Sequence, residues 1–373
     1  MDLFPFHACY PDLDRIRSKD TFFSNVKEKY IEFQKDNYFK ELTTKGFFIN
    51  RIHTPYGSFT GLVGTIPVRE YADGNILRHE QTITSKEEKT AQLLLARQAN
   101  IKPVLLAYPV VVQINRILQS YIKQFPVFYS VHLANTNEIQ EYWKIDQPDL
   151  LFTLQKLFKE QVSKIYIADG HHRVATMSLL KERFQQQKTS LNFGHILVAL
   201  FDSNQLKIYP FNRIVQIVDP FSPDSFLKGL SKFATIQLLE TPAMPKEKFT
   251  FSFFLNKVWY QARWKSSFLS QHYNKSNLLD VQVLNDFILK KILGIKDVRT
   301  DKRIIYEEGT SGLRGIEEVV HNNPKAIGFQ LFPVQIEDFI KMSDQEQLLP
   351  PKSTYFMPRI KNGMVIKKAK FLK

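Results

Sequence analysis

A short apolar run that ends in Asp-Gly and passes directly into a helical pattern constrains this chain more than any other feature. Ile165-Tyr166-Ile167-Ala168 reads as a strand, Asp169-Gly170 as a turn, and residues 174–187 as a helix that gathers Ala175, Leu179, Leu180 and Phe184 near one face. A strand joined to a helix through a glycine turn is a building unit of α/β layers. The same alternation recurs along the chain, so the expected class is α/β with mixed sheets.

Helices are expected at about 22–42, 85–100, 112–124, 149–161, 281–293, 313–321 and 336–343, and strands at 47–54, 59–71, 104–108, 127–133, 138–144, 304–306 and 326–332. Ala72-Asp73-Gly74-Asn75 has the composition of a hairpin turn leading into Ile76–Glu80, and further hairpins are expected at 196–210 and 250–264. Ser85 followed by Glu88 matches a capping box. The segment 350–356 is too polar at its centre for a simple core strand. A chain of 373 residues is long for one core. Two lobes are therefore expected, an N-terminal α/β lobe over 1–218 and a C-terminal α+β lobe over 219–373 packing on it. Pro220-Phe221-Ser222-Pro223 marks the boundary.

Composition narrows the setting. The single Cys9 excludes an internal disulfide and a cysteine-rich zinc site, and it fits a reducing compartment. The first residues lack the basic start and apolar core of a secretion signal. The most apolar stretch, 103–118, is interrupted by Pro109 and by Gln113, Asn115 and Arg116, and falls short of the roughly 20 apolar residues of a membrane span. The expectation is a cytoplasmic protein with no membrane partner. Lysine and arginine (51) exceed acidic residues (37) by 14, an excess that attracts nucleotides, phosphorylated metabolites or nucleic acid. The densest basic run, Lys367 to Lys370 with Lys373, reads as a solvated tail.

Three segments carry candidate chemistry. In 167–173 the strand ends in Gly170 and opens a helix whose first N–H groups and dipole favour an anion. Arg173 is suited to a two-pronged grip on phosphate, His171 and His172 add donors that titrate near neutrality, and Asp169 is suited to hold Mg²⁺ or to activate a hydroxyl. A tight turn capped by Asp169, with one histidine buried and hydrogen-bonded, accounts for the same residues. The second segment is His79-Glu80-Gln81-Thr82, where Glu80 is either a general base or a solvated side chain beside capping hydroxyls. The third is Lys352-Ser353-Thr354 after two prolines, either the far wall of a phosphate pocket or a rigid turn. No G-x-x-x-x-G-K-[ST] loop and no protein-kinase signature set is present, so a nucleotide must be held by another architecture.

These blocks carry a resemblance. GNILRHEQT (74–82), KPVLLAY (102–108), IADGHHR (167–173), ALFDSNQLKIYPFNRIV (199–215) and LLPPKSTYFMPRIKNGMVI (348–366) resemble, in order and over nearly the whole chain, the DUF1015 family of bacterial and archaeal proteins. The DGHHR block is also similar to the signature of the ParB/sulfiredoxin superfamily, whose members bind nucleotide phosphates at a Gly-x-x-Arg turn. That resemblance implies a ParB/sulfiredoxin-like core elaborated by the C-terminal lobe. One branch phosphorylates free L-serine with ADP or ATP and another binds CTP and DNA, while sulfiredoxins need a cysteine where this chain has His171 and His172.

Carried over by resemblance, Gly170 and Arg173 bind phosphate, Asp169, His171 and His172 match the serine-kinase motif, and Glu80 takes the place of the upstream catalytic Glu. His79 and Thr82, with Lys352, Ser353 and Thr354, complete the expected nucleotide and phosphate contacts. Where the family usually has Arg after HE-x-T, this chain has Lys89, which is expected to weaken one phosphate contact.

The function so implied is that of a nucleotide-dependent small-molecule phosphotransferase, a free-serine-kinase-like enzyme linked to serine metabolism. It would use ATP or ADP with Mg²⁺ and a small hydroxy-amino acid. A phosphoserine-type phosphatase, a nucleotide-gated DNA-binding protein and a non-catalytic metabolite sensor are the alternatives. No basic recognition helix of helix-turn-helix type stands out, so a nucleic-acid partner is not expected. The sequence leaves the oligomeric state open.

Overall fold

The unbroken apolar runs become strands buried on both faces of a mixed sheet. The computed structural model describes residues 1–187, 193–218, 221–273, 277–323 and 325–369. The chain divides into two compact units, residues 1–207 with the returning segment from Pro358, and residues 208–357. Among the described residues no helix is long and apolar enough to cross a membrane.

The first unit is built on eight strands: Phe47–Thr54 (β1), Gly57–Pro67 (β2), Ile76–Leu77 (β3), Val104–Tyr108 (β4), Tyr129–Leu133 (β5), Glu138–Ile145 (β6), Ile165–Asp169 (β7) and His195–Asp202 (β8). Their order across the sheet is β3-β7-β4-β8-β2-β1-β6-β5. β3 and β7 are parallel, as are β4 and β8, and the other neighbours are antiparallel. Helix Lys19–Lys35 (α1) precedes the sheet, and Thr84–Arg97 (α2), Val112–Gln124 (α3), Pro148–Gln161 (α4) and His171–Gln187 (α5) connect its strands. Ile49, Leu62, Leu106, Ile167 and Val198 share one core with Leu118 of α3, Phe158 of α4 and Met177 of α5. Their neighbours Phe48, Val63, Leu105, Tyr166 and Leu197, which point to the opposite face, are buried as well.

This topology fixes one pole of the sheet. Because β3 and β7 run parallel, Arg78-His79-Glu80 and Asp169-Gly170 leave the sheet at the same end. Because β4 runs against β7, Lys102 and Pro103 enter at that end. The segment from Pro358 returns to this unit: Lys367 and Lys368 pair with Asn100 and Ala99, and Ile366 bridges Cys9.

The second unit is an antiparallel six-stranded sheet of Phe211–Gln216 (β9), Ala234–Leu238 (β10), Thr250–Leu255 (β11), Val258–Trp264 (β12), Ile304–Glu308 (β13) and Ala326–Leu331 (β14), in the order β10-β12-β11-β14-β9-β13. Helix Gly312–His321 (α6) covers one face, with Ile316 and Val320 against Ile214 and Phe254.

Several expectations change. The first helix stops at Lys35, because Asn37 turns into the left-handed region (φ 56°) and Phe39–Glu41 becomes a strand paired with Cys9–Pro11. Arg69–Ala72 is a helical turn, not strand. The Asp73-Gly74 turn does not close a hairpin, since β3 pairs with β7. The 196–210 hairpin is absent, since β8 pairs with β2 and β4 instead. Helix α2 starts at Thr84, so Ser85 lies inside it and the capping box does not form. The hairpin 250–264 is as read, turned by Asn256 and Lys257, both at positive φ (49° and 64°).

The unit division at 207/208 lies upstream of the expected 218/219 boundary, because β9 is an inner strand of the second sheet. Of the boundary residues, Pro220 lies outside the described residues, as do Lys370 and Lys373 of the basic tail.

Asp280, buried at 6% exposure, accepts a hydrogen bond from the backbone N–H of Phe249 (2.6 Å), a residue at φ 65°. Burial pushes its carboxyl up to about 7, although the Phe249 N–H works against that shift. The native state then keeps a proton that the unfolded chain releases above about pH 4, so this group's contribution to stability falls as pH rises from about 4 to 7. Asp280→Asn retains the acceptor and removes the titration. Urea midpoints should show the variant gaining on the parent by up to about 1.4 kcal/mol per pH unit across that window. Parallel pH profiles would refute the assignment.

Candidate functional site

Strand β7 does not end regularly. Ile167 faces Leu106 but Asp169 faces Leu105, so Ala168 and Asp169 together oppose one residue and form a bulge. A bulge re-aims the side chain beside it, here the Asp169 carboxylate. Gly170 follows at φ 112°, a conformation that L side chains rarely adopt. Its carbonyl accepts from the N–H groups of Arg173 and Val174, opening the 17-residue α5.

Three cations converge on Asp169. Arg173 Nη2 donates to Oδ2 at 2.8 Å, Lys102 Nζ approaches the same oxygen at 3.4 Å, and Arg359 Nη1 reaches Oδ1 at 3.3 Å. Burial works to raise the carboxyl's pKa, but the charges of Arg173, Lys102 and Arg359 outweigh it and hold Asp169 well below the usual carboxylate range. Burial, with repulsion from Arg173, pushes the Lys102 ammonium down to about 8.

Arg173 is also tied to the chain: Nη1 donates to the carbonyls of Lys102 (2.9 Å) and Pro103 (2.6 Å). The two-pronged phosphate grip expected of Arg173 is therefore directed at the protein's own turn and strand. The expected Mg²⁺ site at Asp169 does not fit either, because both carboxylate oxygens face cations. Among the described residues no group of three or more His, Cys, Asp and Glu side chains is arranged to hold a metal.

His79, Glu80 and His171 meet at the same pole. The His79 backbone N–H donates to His171 Nε2 at 3.4 Å, and the two rings pack edge to face at 4.4 Å. An Nε2 that accepts leaves the proton on Nδ1, and Nδ1 faces Glu80 Oε2 at 3.7 Å. Burial pushes His171 down to about 3, and burial with the neighbouring His171 pushes His79 well down, so both rings are neutral at physiological pH. Glu80 keeps 42% of its side chain exposed.

Helices α2 and α5 lock these segments together. Thr176 donates to the Glu87 carbonyl (3.3 Å), and Glu88, expected in a capping box, pairs with Arg183 (2.5 Å). His172 is half-buried, with its pKa lowered by burial and by Lys86, and its buried Nδ1 has no hydrogen-bond partner among the described residues. Thr82 is half-buried between Glu80 and α2, and Lys89 is exposed.

Lys352, Ser353 and Thr354 belong to the second unit. Lys352 Nζ lies over the Phe211 ring at 4.6 Å, Ser353 Oγ donates to the Pro350 carbonyl (2.5 Å), and Thr354 is buried. Fully buried Arg213 donates to the Lys352 carbonyl (3.0 Å) and holds this turn.

The family described as "Protein of unknown function (DUF1015)" matches residues 7–283. The chain belongs to this family. No curated protein sequence matches it. Among solved structures, it is similar to a free serine kinase in complex with AMP, at 13% identity and a TM-score of 0.38, over 83% of this chain and 91% of that one. It is also similar to SbnI with a C-terminal truncation from Staphylococcus aureus (12%, TM-score 0.40, 80% and 85%). A conserved hypothetical protein from Pyrococcus furiosus is a third (12%, TM-score 0.36, 81% and 95%).

Sequence reasoning missed Lys102 and Arg359 as site residues. Both sit inside blocks that carried the family resemblance, but nothing local links either of them to Asp169.

A Cβ on Gly170 would lie 2.6 Å from Arg173 Nη2, whereas one on Gly74 (φ 76°) would meet nothing within 4 Å. Gly170→Ala should therefore destabilise by roughly 1–3 kcal/mol and Gly74→Ala by less, since only the former adds a clash to the backbone strain. Urea denaturation of the pair tests this; equal losses would mean that the turn readily adapts.

Proposed function

We propose that this protein is a nucleotide-dependent phosphotransferase acting on a small free hydroxy-amino acid, with L-serine as the first substrate to test. The observation that carries the reading is the meeting, at one pole of the sheet, of a partly exposed carboxylate, Glu80, with a cation-flanked glycine turn at a helix start. Phosphoryl transfer asks mainly for positioning and for stabilisation of negative charge. The phosphates of ATP or ADP would lie against the first N–H groups of α5, where the helix dipole favours an anion. His172 Nδ1, a buried polar atom, suits one of their oxygens.

In the proposed reaction Glu80 accepts the hydroxyl proton of the substrate, and the freed oxygen attacks the terminal phosphorus. The bond from that phosphorus to its bridging oxygen breaks, and the shortened nucleotide leaves with the electron pair. Neutral His171, presenting Nδ1–H, orients the Glu80 carboxylate. Arg173 contributes its charge and holds the turn. His79 fixes the ring of His171, and the Thr82 hydroxyl is a proposed phosphate contact. No step is routed through a metal, and Lys352, Ser353 and Thr354 take no part.

The test is phosphorus NMR on the purified full chain with ATP or ADP and L-serine, comparing the parent with Glu80→Gln. The parent should form phosphoserine, and the variant should lose about 100-fold or more of that rate while still binding nucleotide. A variant with full turnover would remove Glu80 from the mechanism. Nucleotide-independent release of phosphate from phosphoserine by the parent would replace the reading with a phosphatase.

A further inference from the structure

The opposite end of the first unit's sheet carries a second cluster of polar side chains. Strand β7 runs against β4, β4 runs with β8, and β8 runs against β2, so the turn that joins β1 to β2 lies away from the pole of Asp169. There His53 of β1 stands directly opposite Ser58 of β2. Ser58 Oγ lies 2.7 Å from His53 Nδ1, and His53 Nε2 lies 3.0 Å from Glu141 Oε2 on β6, the strand on the other side of β1. A carboxylate can only accept, so Nε2 carries the proton of the neutral ring. Nδ1 then holds a lone pair, and the Ser58 hydroxyl donates to it.

The turn fixes this arrangement. Thr54 Oγ1 donates to the Gly57 carbonyl (3.1 Å) and accepts from the Tyr56 N–H (3.1 Å), which sets the register that places His53 against Ser58. Ser58 is exposed, and the side chains of His53 and Glu141 keep 39% and 25% of their surface open. Two residues back along β1, on the same face, Arg51 stands opposite Thr60 and Glu141. Its Nε donates to Thr60 Oγ1 (3.2 Å), its Nη2 donates to Gln119 of α3 (2.7 Å), and its guanidinium lies over the Trp143 ring at 5.7 Å. Nη1 takes no part in these bonds.

We propose that Ser58, His53 and Glu141 form a nucleophilic site that hydrolyses carboxylic esters. A hydroxyl within hydrogen-bond reach of a base, with that base held by a third group, is the arrangement that activates a serine. His53 Nδ1 takes the Ser58 proton as Oγ attacks the carbonyl carbon of the ester. Glu141 is a positioning residue: it holds the ring in the required tautomer and faces the imidazolium that forms. Arg51 supplies a fixed positive charge for the oxyanion. The bond from carbon to the alcohol oxygen breaks, the electron pair stays on that oxygen, and His53 returns the proton to it. Water then gives a proton to His53 and attacks the acyl carbon. The bond to Oγ breaks, Oγ recovers the proton, and the carboxylic acid leaves. Ester and water thus become acid and alcohol, with no other reactant.

The test uses the full chain and needs neither nucleotide nor serine, so its outcome is separate from the phosphotransferase reading. A fluorophosphonate, which modifies an activated serine, would be added to the parent, Ser58→Ala, His53→Gln, Glu141→Gln and Glu141→Asp, and the modified peptide located by mass spectrometry. Turnover of p-nitrophenyl acetate would be followed on the same proteins, with circular dichroism to establish folding. The parent should carry the adduct on Ser58. Ser58→Ala and His53→Gln should each lose about 100-fold or more of ester turnover. Glu141→Gln should lose about tenfold or more, and Glu141→Asp should restore part of it. A folded parent with no adduct on Ser58 would overturn the proposal, as would a His53→Gln variant modified at the parent's rate. Either result is what a cross-strand network that only holds the hairpin would give.

Discussion

The carboxylate of Asp169 is the interaction on which the candidate site of the first unit depends. One anion draws in Arg173, Lys102 and Arg359, and so ties together a helix start, a strand start and a returning segment that are far apart in sequence. Isolated exposed ion pairs contribute little, but this group is partly withdrawn from solvent and Arg173 also donates to two backbone carbonyls. The bulge in β7 makes the cluster possible, since without the extra residue Asp169 would keep the alternation of the strand.

A second constraint sets the distance between Glu80 and the glycine turn. Both follow parallel neighbouring strands, so both leave the sheet at one end. The helices that come after them, α2 and α5, pack on each other through Glu88–Arg183 and Thr176–Glu87. Neither segment can then shift without disturbing the other helix. The neutral His171 ring fills the space between them, and burial keeps it neutral, so the carboxylate it faces is approached by a hydrogen-bond donor and not by a second charge.

Much of this was legible in the chain because local chemistry dictated it. The Asp169-Gly170 turn between an apolar run and a helical repeat has few other conformational solutions, and the Asn256-Lys257 hairpin follows from two alternating runs separated by two residues. The readings that changed are those where tertiary pairing decides. Asp73-Gly74 looks like a hairpin turn by itself, yet the two-residue strand after it finds a parallel partner some ninety residues later. Glu88 completes a capping box on paper, but Arg183 on a packed helix offers it a full charge. Lys102 and Arg359 carry no local mark of function, because what gathers them is a carboxylate at the far end of strand pairings that sequence periodicity does not specify.

The discontinuity of the first unit has a consequence for how the protein matures. Arg359 and its pinned segment are separated from the rest of their unit by the whole of residues 208–357. Synthesis runs from the N-terminus, and domains tend to fold as they emerge. The sheet of the first unit can therefore assemble on the ribosome while its cationic pole still lacks one wall, and that pole is completed only after the second unit has been made. The contact of Arg359 with Asp169 is thereby confined to chains whose translation has passed both units.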